Sequence, residues 1–197
     1  MVTPFKIEMP PNRGGKRQHS RRPYRQGDLD GLCGVYSVIN ALRALCPELT
    51  RKHCASLFKL LVGCLKGRSK APLDVVSSGM SRHTLLHLLN VAIAFVWRRF
   101  GVAVKARRLP KPVRTTHRLV RLWRTLSNLL SPNRVVIIGV EGRISHWTVA
   151  TRIGPKHLFV LDSKNIKRFR RTHCVVGWAG NRHSMNPGEM IVVEREE

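Results

Sequence analysis

Acidic side chains are scarce in this sequence of 197 residues. Only eleven residues are Asp or Glu, against thirty-six Lys and Arg, which gives a formal net charge of +25 at pH 7. A field of this sign attracts polyanions such as nucleic acid, acidic protein surfaces and anionic membranes. Attraction alone carries neither sequence specificity nor a mechanism, so the charge indicates a class of partners rather than an activity.

The cysteines lack the spacing that zinc sites and disulfide frameworks use. The five are Cys33, Cys46, Cys54, Cys64 and Cys174. Their number is odd and no Cys-x-x-Cys occurs, which argues against both kinds of site. His83 and His87 have the four-residue spacing of ligands on one helix face, but no glutamate lies between them as a general base. We therefore expect neither a metal ion nor a cofactor.

Long apolar runs are also missing. Prolines and charged residues interrupt the first ten residues, so the apolar segment of a secretory signal peptide is not found there. Residues 85–97, the longest apolar stretch, contain His87 and Asn90 and are too short to cross a bilayer. The hydrophobic share of 43% is ordinary for a globular protein. We expect a protein of the reducing cytoplasm without a membrane span.

The pattern of residues does change along the chain. Residues 1–23 are predicted to form a basic flexible arm, because Pro and Gly break any regular period there. Residues 24–197 are predicted to form one domain, a length sufficient for a hydrophobic core. Its first part shows helical patterns. The predicted helices run over 33–46, over 50–65, from an N-cap at Ser81 to about 97, and over about 116–130.

β-Branched runs dominate the second part of the domain. The predicted strands are 102–104, 135–140, 146–151, 158–162, 174–178 and 190–193. Turns containing glycine separate the middle three. Helices first and an antiparallel sheet second predict the α+β class.

Cys33 differs from the other cysteines in its surroundings. It follows a loop rich in Gly and Asp and begins an apolar helix, whereas the other four lie in apolar helices or in a strand. Cysteine in such apolar positions usually acts as a small packing residue. The positive end of a helix together with a neighbouring histidine stabilises a thiolate. The position of Cys33 therefore predicts a nucleophile.

His146 and Asp162 are the residues predicted to activate this thiol. His146 begins one strand and Asp162 ends the next, so a hairpin brings the two side chains together. An aspartate there accepts the imidazole N–H and holds the tautomer that can take a proton from a thiol. Taken singly, His146 is better explained as a surface histidine and Asp162 as a turn-forming aspartate. Together with Cys33 they predict a catalytic triad.

Residues 28–41 carry a family resemblance in the run DLDGLCGVYSVINA. It resembles the nucleophile segment of papain-like cysteine peptidases, above all of the domains that trim double-glycine leaders from bacteriocin precursors. Residues 145–150 and 158–163 are similar to the histidine strand and the acidic strand of that group, and the order Cys, His, Asp agrees. The resemblance implies a papain-like fold, in which N-terminal helices carry the nucleophile and pack on a C-terminal antiparallel sheet.

The resemblance also implies a glutamine whose side-chain amide helps to bind the oxyanion. Gln26 precedes Cys33 by seven residues, whereas the related enzymes place this glutamine six residues before, where this chain has Gly27. The donor is either Gln26, displaced by a one-residue insertion, or the backbone N–H of Cys33 with another group. The 113 residues from Cys33 to His146 are also fewer than the roughly 130–150 of papain-type enzymes.

The predicted function is a thiol hydrolase that cleaves peptide, isopeptide or side-chain amide bonds of a protein or peptide substrate, including an acidic one. The same centre serves deamidases, transglutaminases and acyltransferases, which the sequence does not separate. The alternative is a basic module on a papain-like scaffold that binds nucleic acid or an acidic protein. It depends on the charge of +25 and on the basic arm.

Overall fold

The computed structural model describes residues 23–25, 31–65, 80–109, 118–177, 180 and 182–196. Within these ranges the helices are α1 Cys33–Leu45, α2 Arg51–Leu65, α3 Arg82–Phe100 and α4 Arg118–Leu129. The strands are β1 Val104–Arg108, β2 Arg134–Gly142, β3 His146–Ile153, β4 His157–Leu161, β5 Arg168–Arg170, β6 Cys174–Val175 and β7 His183–Arg195. None of these helices is both long and apolar enough to span a bilayer. Apart from Pro23, the predicted basic arm lies outside the described residues.

Local capping sets several helix ends. The Ser81 side chain accepts a hydrogen bond from the Thr84 N–H at 3.2 Å, so the predicted N-cap of α3 is confirmed. Helix α3 ends at Gly101, whose φ of 65° is a left-handed conformation that glycine adopts without strain. Helix α1 ends before Cys46, which is extended because Pro47 follows it.

The strands form one sheet in the order β1-β7-β2-β3-β4-β5. Neighbours along this order are antiparallel, and β6 pairs in parallel with the start of β7. The α+β class predicted from the sequence is therefore confirmed. Strand β5 lies at one edge of the sheet.

Helices cover both faces of this sheet. Along β2, Val135 and Ile137 pack into a core with α1, α2 and α3, whereas Val136 and Ile138 pack into a second core with α4. A strand buried on both faces reads as a continuous apolar run, which is why residues 135–140 predicted it so clearly. The Trp123 indole N–H also ties α4 to the β3–β4 turn, donating to the Gly154 carbonyl at 2.9 Å.

Three predicted strands differ clearly from the observed ones, and one observed strand was not predicted. Strand β1 begins at Val104 and includes Arg107 and Arg108, because pairing with β7 needs backbone groups rather than apolar side chains. Strand β7 has 13 residues, of which 190–193 are only part, and the predicted strand 174–178 shortens to the two residues of β6. Strand β5, with an arginine on each side of Phe169, was not predicted.

Candidate active site

An open cleft of about 570 Å³ lies where the starts of α1 and α3 meet strands β2 and β3. Cys33 and His146 both line it, together with Trp147 on β3. Glu189 completes one side, from a segment where β7 departs from regular pairing. In that segment Ile138 pairs with Met190 but Val140 pairs with Met185, so residues 186–189 bulge towards the cleft.

Cys33 is the first residue of α1, as the sequence predicted, and its relative exposure is 7%. Leu32 precedes it and provides no side-chain cap, and the first turn contains no acidic residue. The N–H groups of a first helical turn have no partner within the helix, and the helix dipole is positive there. This end of α1 therefore favours negative charge on a thiol or on an oxygen beside it.

His146 and Asp162 form a buried pair. The Nε2 atom of His146 lies 2.6 Å from Oδ2 of Asp162, and the side chains are 1% and 0% exposed. The second carboxylate oxygen accepts the backbone N–H groups of Lys164 at 2.7 Å and Ile166 at 3.1 Å. With both oxygens engaged, the aspartate is held in one orientation and in turn orients the imidazole ring.

The electrostatics of the pair favour its ionised form. Burial alone would lower the pKa of His146, but the hydrogen bond to Asp162, the Cys33 thiol beside it and their charges outweigh burial and raise the pKa to about 9. Burial would raise the pKa of Asp162, but the His146 ring, the Thr148 hydroxyl and the Ile166 N–H together hold it below its usual range. An imidazolium paired with a carboxylate is thus the stable state at neutral pH.

The other ring nitrogen of His146, Nδ1, is the atom left for the thiol. It is buried and has no hydrogen-bond partner among the described residues. Cys33 lies close enough to raise the pKa of His146, yet its thiol makes no hydrogen bond of ordinary geometry with Nδ1. Catalytic hydrogen bonds are often loose in the absence of substrate and tighten when it binds.

Close packing around Met80 supports the nucleophile and the histidine strand. The Trp147 indole N–H donates to the Met80 carbonyl at 2.8 Å, which ties the start of α3 to β3 beside His146. A Cβ added to Gly34 would lie 2.8 Å from the Met80 sulfur, so glycine after Cys33 lets this contact form. Met80 therefore contacts the backbone next to Cys33 through its side chain and the residue next to His146 through its carbonyl.

Several cleft residues were not foreseen from the sequence. Arg82 donates to the carbonyl of Gly188 and lies 3.6 Å from Glu189, which links α3 to the β7 bulge. Glu141 also lines the cleft. No local sequence pattern identifies these residues as parts of a site. They come together only through the register of β7 against β2. A glycine and a proline inside a strand-like run are the one local sequence feature that indicates this bulge.

Gln26 lies outside the described residues, as do the first three residues of the run 28–41 that carries the family resemblance. Of the two oxyanion donors predicted, the structure therefore describes only the backbone N–H of Cys33.

The remaining cysteines lie away from the cleft lining. Cys46, Cys54 and Cys174 are buried and Cys64 is half-buried, and all are free thiols. Burial raises the pKa of Cys174 to about 11, so that thiol stays protonated at neutral pH. Their surroundings match the packing role expected of them.

Compared with known proteins, the sequence matches no family model and no curated protein. A proposal about function therefore depends on the residues and the geometry of the cleft.

Proposed function

We propose that this chain is a papain-like thiol hydrolase that cleaves peptide, isopeptide or side-chain amide bonds. Cys33 is its nucleophile, His146 its acid and base, and Asp162 the positioning residue for the histidine. The observation that carries the proposal is the buried His146–Asp162 pair, at 2.6 Å, beside a cysteine that begins a helix and lines the same cleft.

The first step is attack of the Cys33 thiolate on the substrate carbonyl carbon. A C–S bond forms and the carbonyl electron pair moves to oxygen, giving a tetrahedral oxyanion. The raised pKa of His146, about 9, keeps the ring protonated beside the thiolate at neutral pH. The positive end of α1 stabilises the charge on the thiolate and then on the oxyanion.

Collapse of this intermediate needs a proton for the leaving amine. Nδ1 of His146 supplies it, because Nε2 is bound to Asp162, and the C–N bond breaks to leave a thioester on Cys33. Water then gives its proton to His146 and attacks the thioester, releasing a carboxylic acid and restoring the thiolate–imidazolium pair. Transfer to an amine instead of water gives transglutaminase or acyltransferase chemistry from the same intermediate.

The cleft lining favours a neutral or basic substrate segment near the scissile bond. Glu141 and Glu189 line it, although acidic residues number only eleven in the whole chain. Glu189 is paired with Arg82, whereas Glu141 is exposed at the surface of the cleft. An acidic substrate, which the total charge suggests, would have to use other surfaces.

The experiment that tests the proposal is labelling of the full chain with a small excess of iodoacetamide at pH 7, followed by mass spectrometry. The wild-type chain is expected to be modified first at Cys33. Cys33→Ala is expected to lose this rapid labelling while its circular dichroism is unchanged. Cys64→Ala is the matched control, since Cys64 is the half-buried thiol away from the cleft, and it is expected to label like wild type. Equal labelling of Cys33→Ala would overturn the assignment.

A further inference from the structure

A second concave surface gathers positive charge away from the cleft. A hollow of about 700 Å³, here called the basic hollow, is lined by Arg143, Lys156, Arg168 and Arg170 and by three histidines. No aspartate or glutamate is among the described residues that line it. Four of the 36 Lys and Arg residues of the chain therefore meet at one place.

Strand pairing at the sheet edge produces one side of this hollow. Arg170 pairs with His157 across β4 and β5, and Arg168 pairs with Phe159. Along β5 the alternation buries Phe169 and leaves both arginines exposed. Among the described strands β5 is at the edge, so none of them pairs with its outer backbone edge.

The other side of the hollow comes from distant parts of the chain. Arg143 lies in the β2–β3 turn, His173 ends the short 3₁₀ turn before β6, and His183 begins β7. The His183 ring packs edge-on against Phe169 at a centroid distance of 5.1 Å. Its Nδ1 atom is buried and has no hydrogen-bond partner among the described residues.

The cations of the basic hollow are uncompensated. Another hollow of about 700 Å³ also contains basic residues, but there Lys105 pairs with Glu196 and Arg134 with Glu194. Within the described ranges, no ion pair includes any of the four cations of the basic hollow. Like charges held together without counter-charge repel one another, and a bound anion would relieve this repulsion.

We propose that the basic hollow binds a compact ligand carrying several phosphate groups. Guanidinium groups match phosphate oxygens in paired hydrogen bonds, and three arginines converge here with a lysine. Single-stranded nucleic acid is usually held by aromatic rings that stack on bases. Here Phe169 is buried and the Arg152 guanidinium covers Phe159 at 3.9 Å, so neither phenylalanine offers an open face for stacking.

This proposal is independent of the proposed function, because it involves neither Cys33 nor His146. The test is isothermal titration of the full chain with inorganic tripolyphosphate in buffer containing 150 mM NaCl. Wild type is expected to bind one equivalent. The variant Arg168→Gln/Arg170→Gln is expected to bind at least about tenfold more weakly, since it loses charge-assisted hydrogen bonds from two guanidinium groups.

The matched control is Arg98→Gln/Arg99→Gln, which removes the same charge from exposed positions at the end of α3. It is expected to bind tripolyphosphate like wild type, and both variants are checked by circular dichroism. Equal weakening in the two variants would overturn the site, because the charge of the whole molecule would then explain binding. A single-stranded oligonucleotide that binds more tightly than tripolyphosphate would overturn the compact ligand, and citrate that binds equally well would overturn the preference for phosphate.

Discussion

In the cleft, His146 faces the carboxylate of Asp162, and its pKa rises to about 9 despite burial. In the basic hollow, burial and then the charges of Arg168, Arg170 and Lys156 lower the pKa of His157. Burial, Arg143 and His173 do the same for His183. The two regions belong to one molecule with a net charge of +25, yet the pKa of His146 is raised while those of His157 and His183 are lowered.

The pKa of each of these histidines therefore depends on its nearest charged neighbours and not on the total charge of the chain. A carboxylate at 2.6 Å in a buried setting outweighs many surface cations, whose fields are screened by water and salt within about 10 Å. In the cleft, Asp162 supplies a counter-charge to His146, as the proposed proton transfer requires. Among the described residues that line the hollow no carboxylate does this, which is why we propose that it binds an anion.

The largest effect is expected from Asp162→Asn, which should disable the cleft alone. An asparagine oxygen can still accept the Lys164 and Ile166 N–H groups, but its NH₂ would face Nε2 of His146 and impose the wrong tautomer. Each unit by which the pKa of His146 falls makes the thiolate–imidazolium pair of Cys33 and His146 about tenfold less populated. The rate of Cys33 alkylation at pH 7 should fall roughly ten- to a hundredfold.

The readout that separates positioning from mere structural damage is the pH profile of alkylation. In Asp162→Asn rapid alkylation should require a higher pH, because the weakened imidazolium no longer stabilises the thiolate, while tripolyphosphate binding should remain at the wild-type level. A profile unchanged from wild type would contradict the role given to Asp162. Loss of binding at the hollow would show instead that the substitution disturbs the whole fold.

Titration of the histidine rings followed by NMR should measure the pKa difference between the two regions directly. The His146 ring is expected to titrate near pH 9, and His157 and His183 below the usual 6.5. Because the folded-state pKa of His146 exceeds its unfolded value, its stabilising contribution is present below pH 6.5 and is lost as the pH rises through about 9. His157 and His183, whose pKa values are lowered on folding, instead oppose folding increasingly as the pH falls below 6.5.

Tripolyphosphate should then raise the pKa of His157 and His183 and leave that of His146 unchanged, since only the former line the hollow. Signals are assigned with single His→Gln variants. An equal shift of all three would contradict the separation of the two regions.

A smaller effect is expected from Trp147→Phe, which tests how the cleft is held together. The substitution keeps an aromatic ring but leaves the buried Met80 carbonyl without the indole N–H. We expect a loss of roughly 1–3 kcal/mol in the free energy of unfolding measured with urea. Trp97→Phe is the matched control, because Trp97 is 59% exposed on α3, and it should change the stability by less than about 0.5 kcal/mol.

Much of the fold was predictable because the relevant signals are local. The cap at Ser81 and the apolar period that follows it predicted α3, and the β-branched run at 135–140 predicted β2. Strand β5 escaped prediction because its two arginines and one phenylalanine resemble a loop until β4 pairs with them. The bulge at 186–189 escaped for a similar reason, since it exists only relative to the register of β2.

The candidate site divides in the same way. Local pattern was enough to select Cys33, His146 and Asp162, because a helix start and two strand ends have recognisable neighbours in sequence. It was not enough to select Met80, which contacts both Gly34 and Trp147 only once α3 packs beside α1. The family resemblance suggested Gln26 as one of two oxyanion donors, the other being the backbone N–H of Cys33, and Gln26 lies outside the described residues.

By itself the sequence determined the α+β class, most of the helices and strands, the excess of positive charge and the three residues of the proposed triad. These follow from short-range periodicity, capping and composition. The tertiary structure alone decided that the His146–Asp162 pair is buried, that carboxylates line the cleft, and that Arg143, Lys156 and Arg168 meet in one hollow. Burial and charge proximity join residues far apart in the chain, and only strand register and packing bring those residues together.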